Sequence, residues 1–130
     1  MNRYFQEIID AHELIRQWLG NAQADSIIYD QLLARFSPDY SMVTPNGIQI
    51  NYRSLAAFFL AHAGAKPGLL INIENMALIT ESPTNATVCY QECQKLPDHP
   101  PSLRFSTVVF ERKAHDILVW RHLHETALPS

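Results

Sequence analysis

The residues best suited to chemistry lie near the end of the chain, in Asp116-Ile117-Leu118-Val119-Trp120-Arg121-His122-Leu123-His124-Glu125-Thr126. The branched and aromatic residues of this stretch favour a strand. Side chains alternate faces along a strand. Regular alternation puts Trp120, His122, His124 and Thr126 on one face, and Val119, Arg121, Leu123 and Glu125 on the other. An aromatic ring and two imidazoles in line suit a polar-tipped pocket, so the first face is the expected pocket side. An imidazole titrates near neutral pH and serves as a general acid or base, which makes His124 and His122 the catalytic candidates. No Asp or Glu is placed by sequence to orient either ring, so lining a ligand is the stronger expectation for the pair. Alternate residues sit about 6.6–7 Å apart on one strand face, close enough to share a metal. A third ligand would be needed, and only His12 and Glu92 offer themselves. Neither a metal nor a cofactor is expected.

Other candidates lie further up the chain. Arg104 and Ser106 alternate with Phe105, and in a pocket Arg104 would pair with a carboxylate ligand. Tyr90 and Glu92 share a strand face, where burial would raise the pKa of the Glu. His12 sits on the apolar stripe of a helix and either satisfies itself in the core or reaches a pocket. Tyr40 and Tyr52 flank an early hairpin and would close a pocket mouth. His12-Glu13-Leu14-Ile15-Arg16 brushes against a zinc-protease helix, but Arg16 stands where that motif needs its second His. No Ser-His-Asp order, Gly-rich phosphate loop or Cys/His finger is present.

These residues need elements to hold them. Phe5, Ile8, Ile9, His12, Ile15 and Leu19 recur at helical spacing and predict a helix over about 2–19, closed by Gly20-Asn21. A second helix is expected from the N-cap Asp25 to Arg35, broken by Ser37-Pro38-Asp39. Tyr40–Thr44 and Ile48–Asn51 read as a hairpin about Pro45-Asn46-Gly47. A third helix should span about 53–63. After it come strands over 69–81, 86–95 and 102–112, then the last one, a four-stranded antiparallel meander. Several of its strands carry apolar residues on both parities, such as Leu103, Phe105 and Val109 against Val108 and Phe110. A sheet apolar on both faces must be covered on both. Helices cover one, and the other is expected to meet a second subunit.

The chain has 130 residues, enough for one domain with one core. A net charge of −3 without Lys or Arg runs argues against nucleic acid and anionic membrane as partners. No apolar run approaches the ~20 residues of a membrane span. The polar start, Met1-Asn2-Arg3-Tyr4-Phe5-Gln6-Glu7, is unlike a signal peptide, so a cytoplasmic setting is expected. Cys89 and Cys93 would lie roughly 13 Å apart on a strand, too far for a disulfide. They read as buried thiols.

Three helices wrapped by a long antiparallel sheet form an α+β layout. Its markers are Phe36-Ser37-Pro38-Asp39-Tyr40 leading to Thr44-Pro45-Asn46-Gly47, then Arg104 to Arg112, then His122-Leu123-His124-Glu125-Thr126. With them the whole chain resembles the nuclear transport factor 2-like superfamily. That group includes ketosteroid isomerase, SnoaL-like cyclases and the calcium/calmodulin-dependent kinase II association domain. The resemblance implies a cone-shaped sheet around N-terminal helices, a deep pocket and often a homodimer through the sheet. It also exposes departures. Thr44 stands where the isomerases carry their proton-moving Asp. Val108 replaces an Arg of the association domain. Leu118 occupies a position that is Trp in many relatives. These changes argue against transferring a known activity. The expected protein binds a small organic molecule. The alternatives are a SnoaL-like isomerase, cyclase or hydrolase with a pocket His as acid/base, and a non-catalytic homodimeric association module.

Overall fold

A computed structural model describes residues 1–129. The long helix α1 (Arg3–Gly20) starts where the Asn2 side chain accepts from the Tyr4 and Phe5 amides. Helix α2 (Ser26–Leu33) is capped by Asp25, as its sequence predicts, and α3 (Tyr52–Ala61) by Asn51. A side-chain oxygen at each start satisfies amides that have no partner within the helix. The strands are β1 (Phe36–Val43), β2 (Gln49–Asn51), β3 (Leu70–Glu81), β4 (Asn85–Lys95), β5 (Ser102–Arg112) and β6 (Leu118–Ala127). A short 3₁₀ turn at Ala114–Asp116 precedes β6.

The six strands form one sheet in the order β2-β1-β6-β5-β4-β3. The expected meander is its β3–β6 half, antiparallel throughout. The early hairpin continues it, with β1 lying parallel to β6. The sheet curves around the helices without closing. Gly47 takes a positive φ of 83° in the predicted Asn-Gly turn. After α3 the chain approaches α1 so closely that a Cβ on Gly64 would meet the Ala22 backbone at 2.4 Å. There the Gly64 and Lys66 amides donate to the Trp18 and Leu19 carbonyls.

Two local features depart from the sequence reading. Ser37-Pro38-Asp39 does not end a helix; it lies inside β1, where the pairing with β6 slips between Phe36 and Ser41. A proline is tolerated at such an irregularity because no ladder bond is required of it. The buried face of α1 is also turned, to Tyr4, Ile8, Ala11, His12, Trp18 and Leu19. Trp18 belongs to it because its indole N–H donates to the Phe59 carbonyl at 2.7 Å, tying α1 to α3.

The core fills the space between α1 and the concave face of the sheet. Val88 and Tyr90 point into it from β4, Val108 and Phe110 from β5, and Trp120 and Leu123 from β6. Cys89 and Cys93 are free and lie on the opposite, convex face, half-buried where full burial is expected. Among the described residues no helix is long and apolar enough to cross a membrane.

Candidate functional site

The last strand decides which residues meet inside the cone. Val109 pairs with His122, but the next residue of β5, Phe110, pairs with Trp120. Arg121 is an extra residue between the two pairs, which makes a β-bulge and shifts the alternation of faces. Trp120 therefore points inward, and so do Leu123 and Glu125, whereas His122, His124 and Thr126 lie on the convex side. His124 is exposed, and His122 is half-buried with its Nδ1 2.7 Å from Ser41 Oγ. Burial and the neighbouring His124 and Arg121 charges lower the His122 pKa against the effect of Ser41. The expectation that Trp120, His122 and His124 share a pocket face is corrected by that one residue. A metal set joining His122 and His124 to His12 or Glu92 is likewise split between the two sides of the sheet.

Inside, a cavity of roughly 270 Å³ opens between α1, α3 and the sheet. Its walls are mostly apolar: Ile15, Phe36, Met42, Ile50, Leu55, Phe58, Phe59, Trp120 and Leu123. At one side four ionisable residues come together from three strands and a helix. Glu92, Glu125 and His12 are only 2%, 4% and 6% exposed. His12 Nε2 lies 3.1 Å from Glu92 Oε1. Arg104 Nη1 donates to Glu125 Oε1 at 3.1 Å, and Ser106 Oγ donates to Glu125 Oε2 at 2.8 Å. Gln94 Nε2 donates to the other Glu92 oxygen at 2.6 Å. The His12 ring packs edge-on against Tyr90 and Trp120, with centroids 5.6 and 5.9 Å apart.

The geometry defines protonation as well as position. The His12 Nδ1 lies 2.7 Å from the Ile8 carbonyl, which can only accept. Its Nε2 faces a carboxylate, so a ring carrying both protons satisfies both partners. Burial disfavours that charge, but Glu92 outweighs it, and the His12 pKa is raised. Burial would also raise Glu92; His12, Arg104 and Gln94 instead hold it below the usual carboxylate range. Glu125 goes the other way. Burial and repulsion from Glu92 raise its pKa against the pull of Arg104 and Ser106. Two neighbouring carboxylates whose pKa values are pushed in opposite directions are a familiar basis for acid and base roles.

The other candidates fall into place around this cluster. Tyr40 and Tyr90 are buried, with hydroxyls that find no hydrogen-bond partner among the described residues. Burial raises both their pKa values, so they remain donors. Tyr40 thus belongs to the interior rather than to the mouth. Arg104 lines the cavity already paired with Glu125 and is not waiting for a ligand alone. Thr44 also lines the cavity, and Val108 is fully buried in the core. Sequence reading missed Glu125, which regular alternation assigns to the wrong face, and Lys66, which no pattern singles out. The spacing Leu118, Trp120, Leu123 changes from two to three and carries the trace of the bulge.

A cone-shaped α+β fold with one polar-sided cavity is thus the class that this chain defines. An NTF-2 like protein of unknown function from Pseudomonas aeruginosa is 39% identical, with a TM-score of 0.92, and the match covers 97% of this chain and 98% of that one. The chain belongs to the nuclear transport factor 2-like family. The hub homology domain of calcium/calmodulin-dependent kinase II from Chlamydomonas reinhardtii shares the fold at 16% identity and TM-score 0.70, over 97% of this chain and 99% of that one. The association domain of the Caenorhabditis elegans kinase does so at 14% and 0.70, over 95% of each chain. No family model and no curated protein matches the chain.

Proposed function

We propose that the protein binds a small, partly apolar organic molecule in its cone and works as a homodimer of single-domain chains. The buried cluster His12–Glu92–Arg104–Glu125 beside a mostly apolar cavity carries this reading. Buried ion pairs contribute little to stability compared with apolar packing. A cluster of them with displaced pKa values at a cavity wall is what a binding site requires. Trp120, Tyr40, Tyr90 and Ser106 frame the polar side. Fragments that bind in the cone should raise the melting temperature of the native protein, and Leu55→Trp, which fills the cavity, should abolish that rise. An unchanged rise in a folded Leu55→Trp protein would contradict the reading.

The homodimer rests on the convex face. Leu103 and Phe105 are 41% and 48% exposed there and Leu70 61%, with half-buried Val109 and Cys93 between the strands. Apolar exposure on one sheet face is the usual mark of an interface. The kinase association domains with the same fold fit this reading. It retains the expectation of a protein without nucleic-acid or membrane partners.

A second reading, an isomerase, cyclase or hydrolase, is favoured by one observation. The pocket imidazole is His12, and Glu92 is the orienting carboxylate that His122 and His124 lack. Turnover lost in His12→Gln while binding persists would support it. Turnover insensitive to that change would contradict it.

A further inference from the structure

The charges lining the cavity do not balance. Three lining side chains are basic, His12, Lys66 and Arg104, and two are acidic, Glu92 and Glu125. Both acids are engaged within the cluster, Glu92 with His12 and Glu125 with Arg104. Lys66 has no ion-pair partner among the described residues. It is half-buried, in the loop between α3 and β3, and its neighbours Ala65 and Pro67 are exposed. That places it at the solvent-side edge of the cavity.

The ordinary reason for a lysine at this place is absent. Lysines near a helix C-terminus serve its last carbonyls. In α1 the Trp18 and Leu19 carbonyls are taken by the backbone amides of Gly64 and of Lys66 itself. The Lys66 ammonium is therefore not needed at these two carbonyls. Arg104 adds to the excess of donors, because its buried Nε has no partner among the described residues. A cavity with low-dielectric walls and a surplus cation concentrates anions.

Resting on the reading of the cone as a ligand site, we propose that its ligand is a small ring-containing carboxylate. The ring would lie against Phe36, Leu55, Phe59 and Trp120, with the carboxylate at Lys66. The size is set by the cavity. An apolar cavity of about 150 Å³ accepts benzene, and roughly 270 Å³ accommodates two fused rings. One negative charge neutralises Lys66 without disturbing either internal pair. A cationic amine would add to the surplus, and a neutral amide would leave it uncompensated.

The test is calorimetric titration of 2-naphthoate, 2-naphthamide and 2-naphthylmethylamine into the native protein, Lys66→Gln, Lys66→Arg and Leu55→Trp. The native protein should prefer the carboxylate to the amide by at least about tenfold, the scale of one charge-assisted contact. Lys66→Gln should lose that preference and keep its amide affinity, and Lys66→Arg should retain the preference. Equal affinity for amide and carboxylate, or a preference that survives in Lys66→Gln, would overturn the assignment and leave the cone as a ligand site. Binding by none of the three, or binding that a folded Leu55→Trp protein retains, would remove both.

Discussion

His12 carries the most consequential contacts of any single residue. Its two ring nitrogens face the Ile8 carbonyl and the Glu92 carboxylate in a buried site. Removing one partner of a buried pair strands the other charge, at a cost of about 3–5 kcal/mol. Chemical denaturation of His12→Ala should show a loss of that size, and His12→Ala/Glu92→Gln should recover part of it. A loss below about 1 kcal/mol, the range of an exposed pair, would show that the pair is not held as described. His12 and Glu125 give pH signatures of the same sign in different ranges. The His12 pKa is raised in the fold, so its stabilising contribution is complete below the ordinary histidine value and fades as pH rises through the raised one. The Glu125 pKa is also raised, so the native form is relatively most stable below the ordinary carboxylate value and loses ground as pH climbs through the raised one. Melting temperatures of native protein and Glu125→Gln should therefore converge in acid, with the variant gaining relative to the native chain toward neutral pH. A constant difference across that range would contradict the assignment to Glu125.

At the scale of elements, apolar periodicity carries the fold and one bulge carries the site. Helices and strands were legible because Ile8, His12, Ile15 and Leu19 repeat at helical spacing and Val88, Tyr90 and Glu92 at strand spacing. The Asn46-Gly47 turn and the Asp25 cap were legible because each has a local backbone reason. Alternation from Trp120 onward was not, because it assumes an unbroken ladder, and Arg121 interrupts it. Tyr90 and Glu92 on β4, and Arg104 and Ser106 on β5, lie on strands without that interruption, so each pair keeps the shared face that alternation gives it. The partnership of Glu125 with Arg104 depends on the register across β5 and β6, and no single strand contains it. The bulge has a direct consequence. Deleting Arg121 should leave a regular ladder in which Trp120, Leu123 and Glu125 still face inward and His122 and His124 outward, because Arg121 is the one residue without a partner on β5. That protein and Arg121→Ala should both retain a cooperative melt by circular dichroism, whereas inserting one alanine after His122, which turns Leu123 and Glu125 outward, should abolish it. A cooperative, native-like melt of the insertion variant would refute the role given to the bulge.

For the whole molecule, the sheet separates two tasks. Its concave face holds the cavity and the ionisable cluster, and its convex face exposes Leu70, Leu103 and Phe105, the seam of the proposed dimer. Placing a charge in an apolar seam opposes association through desolvation, so Phe105→Glu should sediment as a monomer while the native chain sediments at twice its mass. A native monomer at micromolar concentration would contradict the dimer and leave the cone untouched. The cone itself is best tested by two-dimensional NMR of methyl-labelled protein during titration with 2-naphthoate. The ligand should shift the methyl resonances of Met42, Ile50, Leu55 and Leu123, which line the cavity, and leave those of Leu70 and Leu103 in place. Shifts confined to the convex face, or none at all, would contradict the central claim that this protein works by holding a small molecule inside its cone.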